Sequence, residues 1–144
     1  MVYVFQRKFN IDELASIDQQ TNKVLVVEPE KYLGDLYKHY LTESFLDVLV
    51  LDTHDQVRKT IGIYNPNVIL LNVDAASEKI DLLLAIIAGI RREYPILPIV
   101  SIAHNLNGDF LIRFMNKGIT SHIDRAHTRP ADVVCVIKTL INNN

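Results

Sequence analysis

The chain has 144 residues, of which 49% are hydrophobic and 22% are charged, and its formal net charge is -2. This length suits one domain with a buried core and is too short for two large domains. The weak net charge gives no basic surface of the kind that binds nucleic acid or an anionic membrane. No apolar run approaches the ~20 residues that span a bilayer, and the first residues lack the features of a secretion signal. We therefore expect a cytoplasmic protein that binds neither nucleic acid nor membrane.

The single cysteine, Cys135, cannot form a disulfide within the chain. Its neighbours Val134 and Val136 lie in an apolar segment with helical spacing, so we expect a buried thiol rather than a reactive one. A lone buried thiol agrees with a reducing cytoplasm.

Residues 1–22 differ in pattern from the rest of the chain. Residues 2–5 are apolar enough for a short strand, and residues 10–13 have the form of a capping box that begins a helical turn through Ile17. We predict an N-terminal extension of residues 1–22 outside a domain of residues 23–144. A partly ordered tail and an arm that docks on a partner are both open interpretations of the extension.

From Lys23 onward, short apolar runs alternate with segments of helical periodicity. The runs predict five strands, at residues 24–27, 47–51, 68–71, 99–103 and 119–123. The periodic segments predict five helices, at residues 30–44, 56–64, 77–94, 107–117 and from residue 130 to the C-terminal asparagines. Gly118 is placed to end the fourth helix in a left-handed conformation. The third strand is a continuous branched-apolar run, typical of a central strand covered on both faces.

Five such units predict an α/β fold of the flavodoxin-like type, with a five-stranded parallel sheet, strand order 2-1-3-4-5 and helices on both faces. Functional groups in such sheets gather beyond the carboxyl ends of the strands, at the point where the strand order reverses. There the order brings Glu28, Pro29 and Asn72 together, with Ala103 and Arg125 alongside. Asn72 is an amide, which is neither a good nucleophile nor a charged metal ligand.

Four segments, residues 23–30, 66–74, 98–104 and 118–125, resemble the receiver domains of two-component response regulators, the CheY-like family. In that family, two acids after the first strand hold magnesium and an aspartate after the third strand accepts phosphate. A hydroxyl residue after the fourth strand and a lysine after the fifth bind the phosphoryl oxygens. The resemblance implies a domain of two-component signal transduction, regulatory rather than enzymatic, whose partner is a signalling kinase or an effector domain.

The positions that carry the family's chemistry are changed in this chain. Glu28 keeps one carboxylate, but Pro29 replaces the second acid and Asn72 replaces the phosphate acceptor. Ala103 has no hydroxyl, and Arg125 keeps the positive charge with a different reach and geometry, so that it could pair with Glu28 or bind an anion. The site therefore indicates a degenerate pseudo-receiver that signals by protein–protein interaction without aspartyl phosphorylation.

Several further expectations follow from this interpretation. His122 occupies the aromatic switch position, so the family's hydroxyl-to-aromatic switch is absent. No cofactor and no metal site are expected, although Glu30 or Asp74 leaves weak magnesium binding open. His104 and His127 are expected as exposed loop residues. One alternative is a receiver phosphorylated at a displaced acceptor. The other is a flavodoxin-like protein that binds a small molecule or cofactor, and the acidic loop at residues 28–30 disfavours this second alternative because it would repel phosphate.

The third helix carries more apolar surface than one sheet-facing stripe requires. Leu82, Ile86 and Gly89 lie outside that stripe and widen it around the helix. Deeper burial within the chain would account for such residues, and so would a second packed surface. We predict an interface at these three residues, for a protein partner or for a second copy in a homodimer.

Overall fold

The computed structural model describes residues 2–4, 7–9 and 21–143. Near the N-terminus, β1 (Val2–Val4) pairs antiparallel with β2 (Arg7–Phe9). The predicted strand over residues 2–5 thus corresponds to β1, whereas the predicted helical turn at residues 10–17 lies outside the described residues. The division between residues 1–22 and residues 23–144 stays a prediction.

The remaining strands form one parallel sheet of five. They are β3 (Lys23–Val27), β4 (Asp47–Leu51), β5 (Val68–Asn72), β6 (Ile99–Ala103) and β7 (Ser121–Asp124). Their order across the sheet is β4-β3-β5-β6-β7, which is 2-1-3-4-5 when the five are counted along the chain. The predicted flavodoxin-like topology is confirmed.

Five helices connect and follow these strands. They are α1 (Lys31–Glu43), α2 (Val57–Tyr64), α3 (Ala76–Glu93), α4 (Gly108–Lys117) and α5 (Pro130–Asn142). A short 3-10 turn, Arg125–His127, follows β7. Gly118 ends α4 with a φ of 131°, a conformation that a residue without a Cβ adopts freely, as predicted. Within the described residues, no helix is both long enough and apolar enough to cross a membrane.

The apolar strand residues alternate between two packed layers. Leu25, Ile69 and their neighbours on one face pack against α2, α3 and α4. Val24 and Leu70, on the other face, pack against α1 and α5. Residues 68–72 are buried on both faces, because β5 lies in the middle of the sheet. The sheet is therefore covered twice, as the continuous apolar run of β5 indicated.

Two local predictions are wrong. The fifth strand begins at Ser121 instead of residue 119, because the N–H of Ile119 bonds to the Phe114 carbonyl and closes the turn that ends α4. Cys135 is exposed instead of buried. The core-facing positions of α5 are Val133, Val134 and Ile137, and the helical period turns Cys135 toward solvent.

Candidate functional site at the carboxyl end of the sheet

The neighbouring strands β3 and β5 bring Glu28 and Asn72 together, because Val27 lies directly beside Leu71 in the sheet. Asn72 Nδ2 donates a 2.8 Å hydrogen bond to Glu28 Oε1. Both side chains are buried, with 2% of Glu28 and 3% of Asn72 exposed. The amide therefore occupies the place where the resemblance implies a phosphate acceptor, and it bonds to Glu28, the one carboxylate that remains of the implied acidic set.

Asp74 uses the rest of the Asn72 amide. Asn72 Nδ2 also donates to Asp74 Oδ2 at 3.0 Å, and the Asp74 N–H donates to Asn72 Oδ1 at 2.8 Å. Both the nitrogen and the oxygen of the Asn72 side chain therefore have protein partners. An amide satisfied in this way stays in one orientation, since turning it would place a donor against the Asp74 N–H.

Arg125 pairs with Asp74 and not with Glu28, which corrects one of the two predicted roles. Its Nη2 donates to Asp74 Oδ2 at 2.8 Å, and both side chains are partly exposed. Asp74 was expected only as a nearby acid that leaves weak magnesium binding open, but it joins Asn72 to the arginine. Glu28, Asn72, Asp74 and Arg125 are called the carboxyl-end site below.

The two carboxylates of the carboxyl-end site have opposite pKa shifts. Burial raises the pKa of Glu28 above its ordinary value, although the Glu30 N–H and the Asn72 amide partly oppose the shift. Burial would also raise the pKa of Asp74, but hydrogen bonds from the His104 N–H and Asn72 and the Arg125 guanidinium hold it below its ordinary value. Asp74 is therefore the carboxylate whose charge the site stabilises.

Pro29 and Ala103 complete the predicted set without supplying a polar side chain. Ala103 is buried at the end of β6. Pro29 is exposed and lines a cleft of about 500 Å³ whose other walls include Glu28, Asp35, Asp52 and one cation, Lys31. Lys31 pairs with Asp35, so carboxylates still outnumber cations in this cleft, which disfavours a phosphate group there. Glu30, the residue that caps the start of α1, directs its N–H to Glu28 Oε2.

A buried histidine beside the carboxyl-end site was missed at the sequence level. His54 lies in the loop between β4 and α2, and its Nε2 is 3.0 Å from the Asn72 carbonyl oxygen. Since a carbonyl only accepts, the His54 ring donates through Nε2. The sequence offers no spacing that would have placed His54 against β5.

The predicted switch position, His122, has an equally specific partner. Its Nδ1 lies 2.7 Å from Oγ of the buried Ser101, and the two residues are direct neighbours in the β6–β7 register. Burial lowers the pKa of His122, which favours the neutral ring. The predicted strands did not give this contact, because equal positions in residues 99–103 and 119–123 align residue 101 with residue 121, and the later start of β7 shifts the register by one.

The predicted interface residues differ in accessibility. Leu82 is 44% exposed, whereas Ile86 is half-buried and packs against the core. Gly89 is buried, and the guanidinium of Arg58 lies over it, 3.0 Å from where a Cβ would stand. Gly89 therefore offers no open surface for another helix, which corrects its place in the predicted interface.

The histidines and acids near the strand ends do not form a metal centre. Within residues 21–143, no group of three or more His, Cys, Asp or Glu side chains is arranged to hold an ion. His104 and His127 are exposed, as expected. His127 lies 3.7 Å from Asp124, and this is an exposed contact rather than a ligand pair.

Solved structures with the same fold are receiver domains of response regulators. A CheY-like receiver domain from Methanospirillum hungatei JF-1 superposes with a TM-score of 0.75 at 14% identity, covering 86% of this chain and 96% of that one. An orphan response regulator of H. pylori superposes with a TM-score of 0.73 at 14% identity, covering 83% of this chain and 96% of that one. The BeF3-activated receiver domain of Klebsiella pneumoniae RstA superposes with a TM-score of 0.71 at 21% identity, covering 83% of this chain and 98% of that one.

The sequence itself is distant from known families. No family model matches it, and no curated protein matches it. At identities of 14–21%, the structural likeness establishes the fold and leaves the chemistry to the residues of the carboxyl-end site. The chain has the CheY-like receiver fold.

Proposed function

We propose that this chain is a regulatory domain of the receiver type, a pseudo-receiver that acts on protein partners without being phosphorylated on aspartate. The observation that carries the proposal is the buried Asn72 side chain at the end of β5. Its amide bonds to Glu28 and Asp74, so neither a nucleophilic oxygen nor a free metal ligand stands at this position. The domain is regulatory and not an enzyme.

The other side chains of the site support the same proposal. Phosphoryl transfer requires a metal ion that bridges the phosphate oxygens and neutralises the charge that develops. Pro29 supplies no ligand, and magnesium prefers near-octahedral coordination by several oxygen atoms. Arg125, paired with Asp74, places a positive charge inside the site where an ion would otherwise be needed. We therefore expect only weak magnesium binding and no required cofactor.

Asp74 is the strongest candidate for a displaced acceptor, but its contacts disfavour that role. Its Oδ1 accepts the His104 N–H at 2.8 Å, and its Oδ2 accepts from Asn72 and Arg125. Attack on a phosphodonor would have to break the contacts of one of these oxygens. The lowered pKa of Asp74 also indicates a carboxylate stabilised in place and less nucleophilic.

A flavodoxin-like binding protein is the other alternative, and the clefts at the carboxyl ends of the strands give it little support. The cleft beside Pro29 is acidic. The cleft between Asp74, Ala103 and Phe110 is about 170 Å³, smaller than the ~300 Å³ at which ligand pockets begin. A signalling kinase or an effector domain, as the resemblance implies, is the kind of partner that we propose.

Intact-mass measurement tests the proposal directly. The purified chain would be incubated with a small phosphodonor and magnesium at neutral pH, and we expect no gain of a phosphoryl group. The variant Asp74→Asn is the matched control for a displaced acceptor. A phosphoryl group that appears on the unchanged chain and is lost in Asp74→Asn would contradict the proposal and identify the acceptor.

A further inference from the structure

The edge strand β4 has one side that no described strand covers. It lies at the border of the five-stranded sheet and pairs there with β3. The Asp47 N–H bonds toward β3, to the Asn22 carbonyl, and main-chain groups alternate along a strand. The N–H and C=O groups of Val48 and Val50 therefore point outward. Residues 48–51 contain neither the charges nor the proline that usually protect such an edge, so β4 can pair with a further strand.

An acidic cleft lies beside the carboxyl half of this edge. It has a volume of about 500 Å³, and Val50 and Leu51 form part of its wall. The space depends on Gly34, because a Cβ there would lie 3.1 Å from Val50 Cγ1. The charged residues of the wall are three acids and one lysine, Glu28, Asp35, Asp52 and Lys31. Because Lys31 is paired with Asp35, the cleft favours a further cation.

The hairpin of β1 and β2 carries the charge that this cleft lacks. Residues 1–9 include Arg7 and Lys8 and no acidic residue. The two strands have three residues each and form a sheet of their own. An isolated two-stranded hairpin is only marginally stable in water. The hairpin therefore gains stability when it adds to a larger sheet.

The register of the hairpin shows which residue of β2 can pair outward. Val4 is the partner of Arg7, so two residues separate the strands. The residues that flank a two-residue loop bond to each other, which directs the main-chain groups of Arg7 toward β1. By alternation, the N–H and C=O of Lys8 point away from β1. Lys8 is therefore the residue of β2 that can bond to another strand.

We propose that this hairpin docks on the outer edge of β4, with β2 antiparallel to β4 and Lys8 directly opposite Val50. The two sheets then become one sheet of seven strands. Lys8 lies at the acidic cleft, which Val50 lines. The main chain supplies the hydrogen bonds of such strand addition, and the cleft supplies its specificity.

The neighbours of Lys8 fit the same register. Arg7 comes beside Leu51, next to the exposed carboxylate of Asp52. Phe9 comes beside Leu49, which is 36% exposed. If Lys8 were instead opposite Val48, the two basic residues would lie farther from the cleft. The charges and the apolar residue therefore favour Val50 as the partner.

The connection to β3 favours the antiparallel direction. In that direction β2 ends toward the amino end of β4, where Lys23 of β3 lies beside Asp47. Two strand spacings are about 10 Å, and residues 10–22 can span up to ~43 Å when extended. In a parallel arrangement, β2 would end at the carboxyl end and the chain would have to return along the sheet. The docking requires no phosphorylation and no partner protein, so its test is separate from that of the proposed function.

Amide hydrogen exchange of the full chain, measured by NMR, tests this pairing. The Val50 N–H would donate to the Lys8 carbonyl and should exchange slowly, with NOEs between residues 8 and 50. Lys8→Glu places another carboxylate at the cleft, and we expect it to speed the exchange of Val50 about tenfold. Asp52→Lys in the same chain should restore slow exchange, because the two charges are then opposite again.

A matched variant and an internal reference separate docking from other effects. Lys117→Glu makes the same change of charge at the exposed end of α4 and should leave Val50 unchanged. The amides of Ile69 and Leu70 lie within the central strand β5 whether or not the hairpin is docked. Their slow exchange would verify that each variant is folded.

Four results would overturn the proposal. Exchange of Val50 in the unchanged chain at the rate of an exposed amide excludes the pairing. Slow exchange that Lys8→Glu does not alter means that something other than β2 covers the edge. Loss that Asp52→Lys does not restore excludes the acidic cleft as the position of Lys8. Protection that rises with protein concentration assigns the edge to the hairpin of a second copy.

Discussion

Two arginines at opposite ends of the sheet donate hydrogen bonds to different kinds of partner. Arg91, near the end of α3, lies at the amino end of β6, whereas Arg125 lies at the carboxyl end of β7. The Arg91 guanidinium donates to four main-chain carbonyls, those of Tyr94, Pro95, Leu97 and Gly118, at 2.5 to 3.2 Å. Arg125 donates to a side chain, the Asp74 carboxylate.

The kind of partner distinguishes an arginine that holds the fold together from one that belongs to the candidate site. Main-chain carbonyls are present whatever the side chains are, so Arg91 fixes two turns of the fold at an end of the sheet where no ligand is expected. The partner of Arg125 is Asp74, two residues beyond Asn72, the position where the resemblance implies a phosphate acceptor. Sequence changes at the carboxyl end could therefore replace the chemistry while the fold was retained.

The largest effect should come from the structural arginine. Arg91→Ala leaves several partly buried carbonyls without a donor, and we expect it to lower the free energy of unfolding by about 3 kcal/mol. Urea denaturation measures the change. Arg92→Ala is the matched control on the exposed neighbour, where we expect a change within about 0.5 kcal/mol. Equal effects of the two substitutions would contradict the structural role of Arg91.

A smaller loss is expected at the carboxyl-end site from Asn72→Asp. The new carboxylate would lie within hydrogen-bonding distance of both Glu28 and Asp74, in a buried position. We expect it to lower the free energy of unfolding by about 2 kcal/mol at neutral pH in the absence of magnesium. The loss should diminish as pH falls, because protonation removes the repulsion.

The same substitution at a helix cap serves as the control for Asn72→Asp. Asn107 caps α4 through its side-chain oxygen, and aspartate caps helices equally well. Asn107→Asp should therefore change the free energy of unfolding by less than about 0.5 kcal/mol. If Asn72→Asp is as harmless as this control, the amide contacts of Asn72 do not hold the site together.

Arg125→Met should lower the free energy of unfolding by less than Asn72→Asp does. The Arg125–Asp74 pair is partly exposed, so solvent weakens it, and we expect a loss of about 1 kcal/mol. Asp74 has a lowered pKa, so its contribution to stability is present above its ordinary pKa and is lost as pH falls through the lowered value. Without the arginine, the Asp74 pKa should rise, which NMR titration detects.

Arg129→Met is the control for Arg125→Met. Arg129 forms an exposed pair with Asp132 at the start of α5. Its loss should leave the pKa of Asp74 unchanged. An unchanged Asp74 pKa in Arg125→Met as well would show that the arginine does not stabilise the carboxylate.

The smallest effect should come from Glu28, as a change in how the free energy of unfolding depends on pH. Its pKa is raised in the folded chain, so the folded state binds the proton more tightly and stability falls as pH rises through the raised pKa. Glu28→Gln removes that titration. Between pH 4 and pH 7, the unchanged chain should therefore lose stability relative to Glu28→Gln, as thermal unfolding can show. A gain of relative stability over that range would contradict the direction of the shift.

The strands were predictable because each is a short apolar run, and the strand order followed from the βα alternation. Strand neighbourhood placed Glu28 beside Asn72 correctly. It did not pair Ser101 with His122, because that register depends on where β7 begins. The Asp74–Arg125 pair was missed, because it depends on where two loop side chains point after their strands end.

Surface exposure was the other weak point of prediction. Cys135 lies in an apolar segment, but the phase of α5 turns it outward. Gly89 was expected at an open surface, yet Arg58 reaches it from α2. Both outcomes depend on how a helix is rotated on the sheet or on what a neighbouring helix contributes, and the apolar period of one segment contains neither kind of information.

The most direct test of the central claim is an attempt to restore phosphorylation. The claim is that the carboxyl-end site lacks more than its acceptor, since Pro29 removes a metal ligand and Ala103 a hydroxyl. Intact mass after incubation with a small phosphodonor and magnesium would compare the unchanged chain, Asn72→Asp, and Asn72→Asp with Pro29→Asp. We expect no phosphoryl group on the first two, and on the double variant tighter magnesium binding with slow phosphorylation at best. Full phosphorylation of Asn72→Asp alone would contradict the claim.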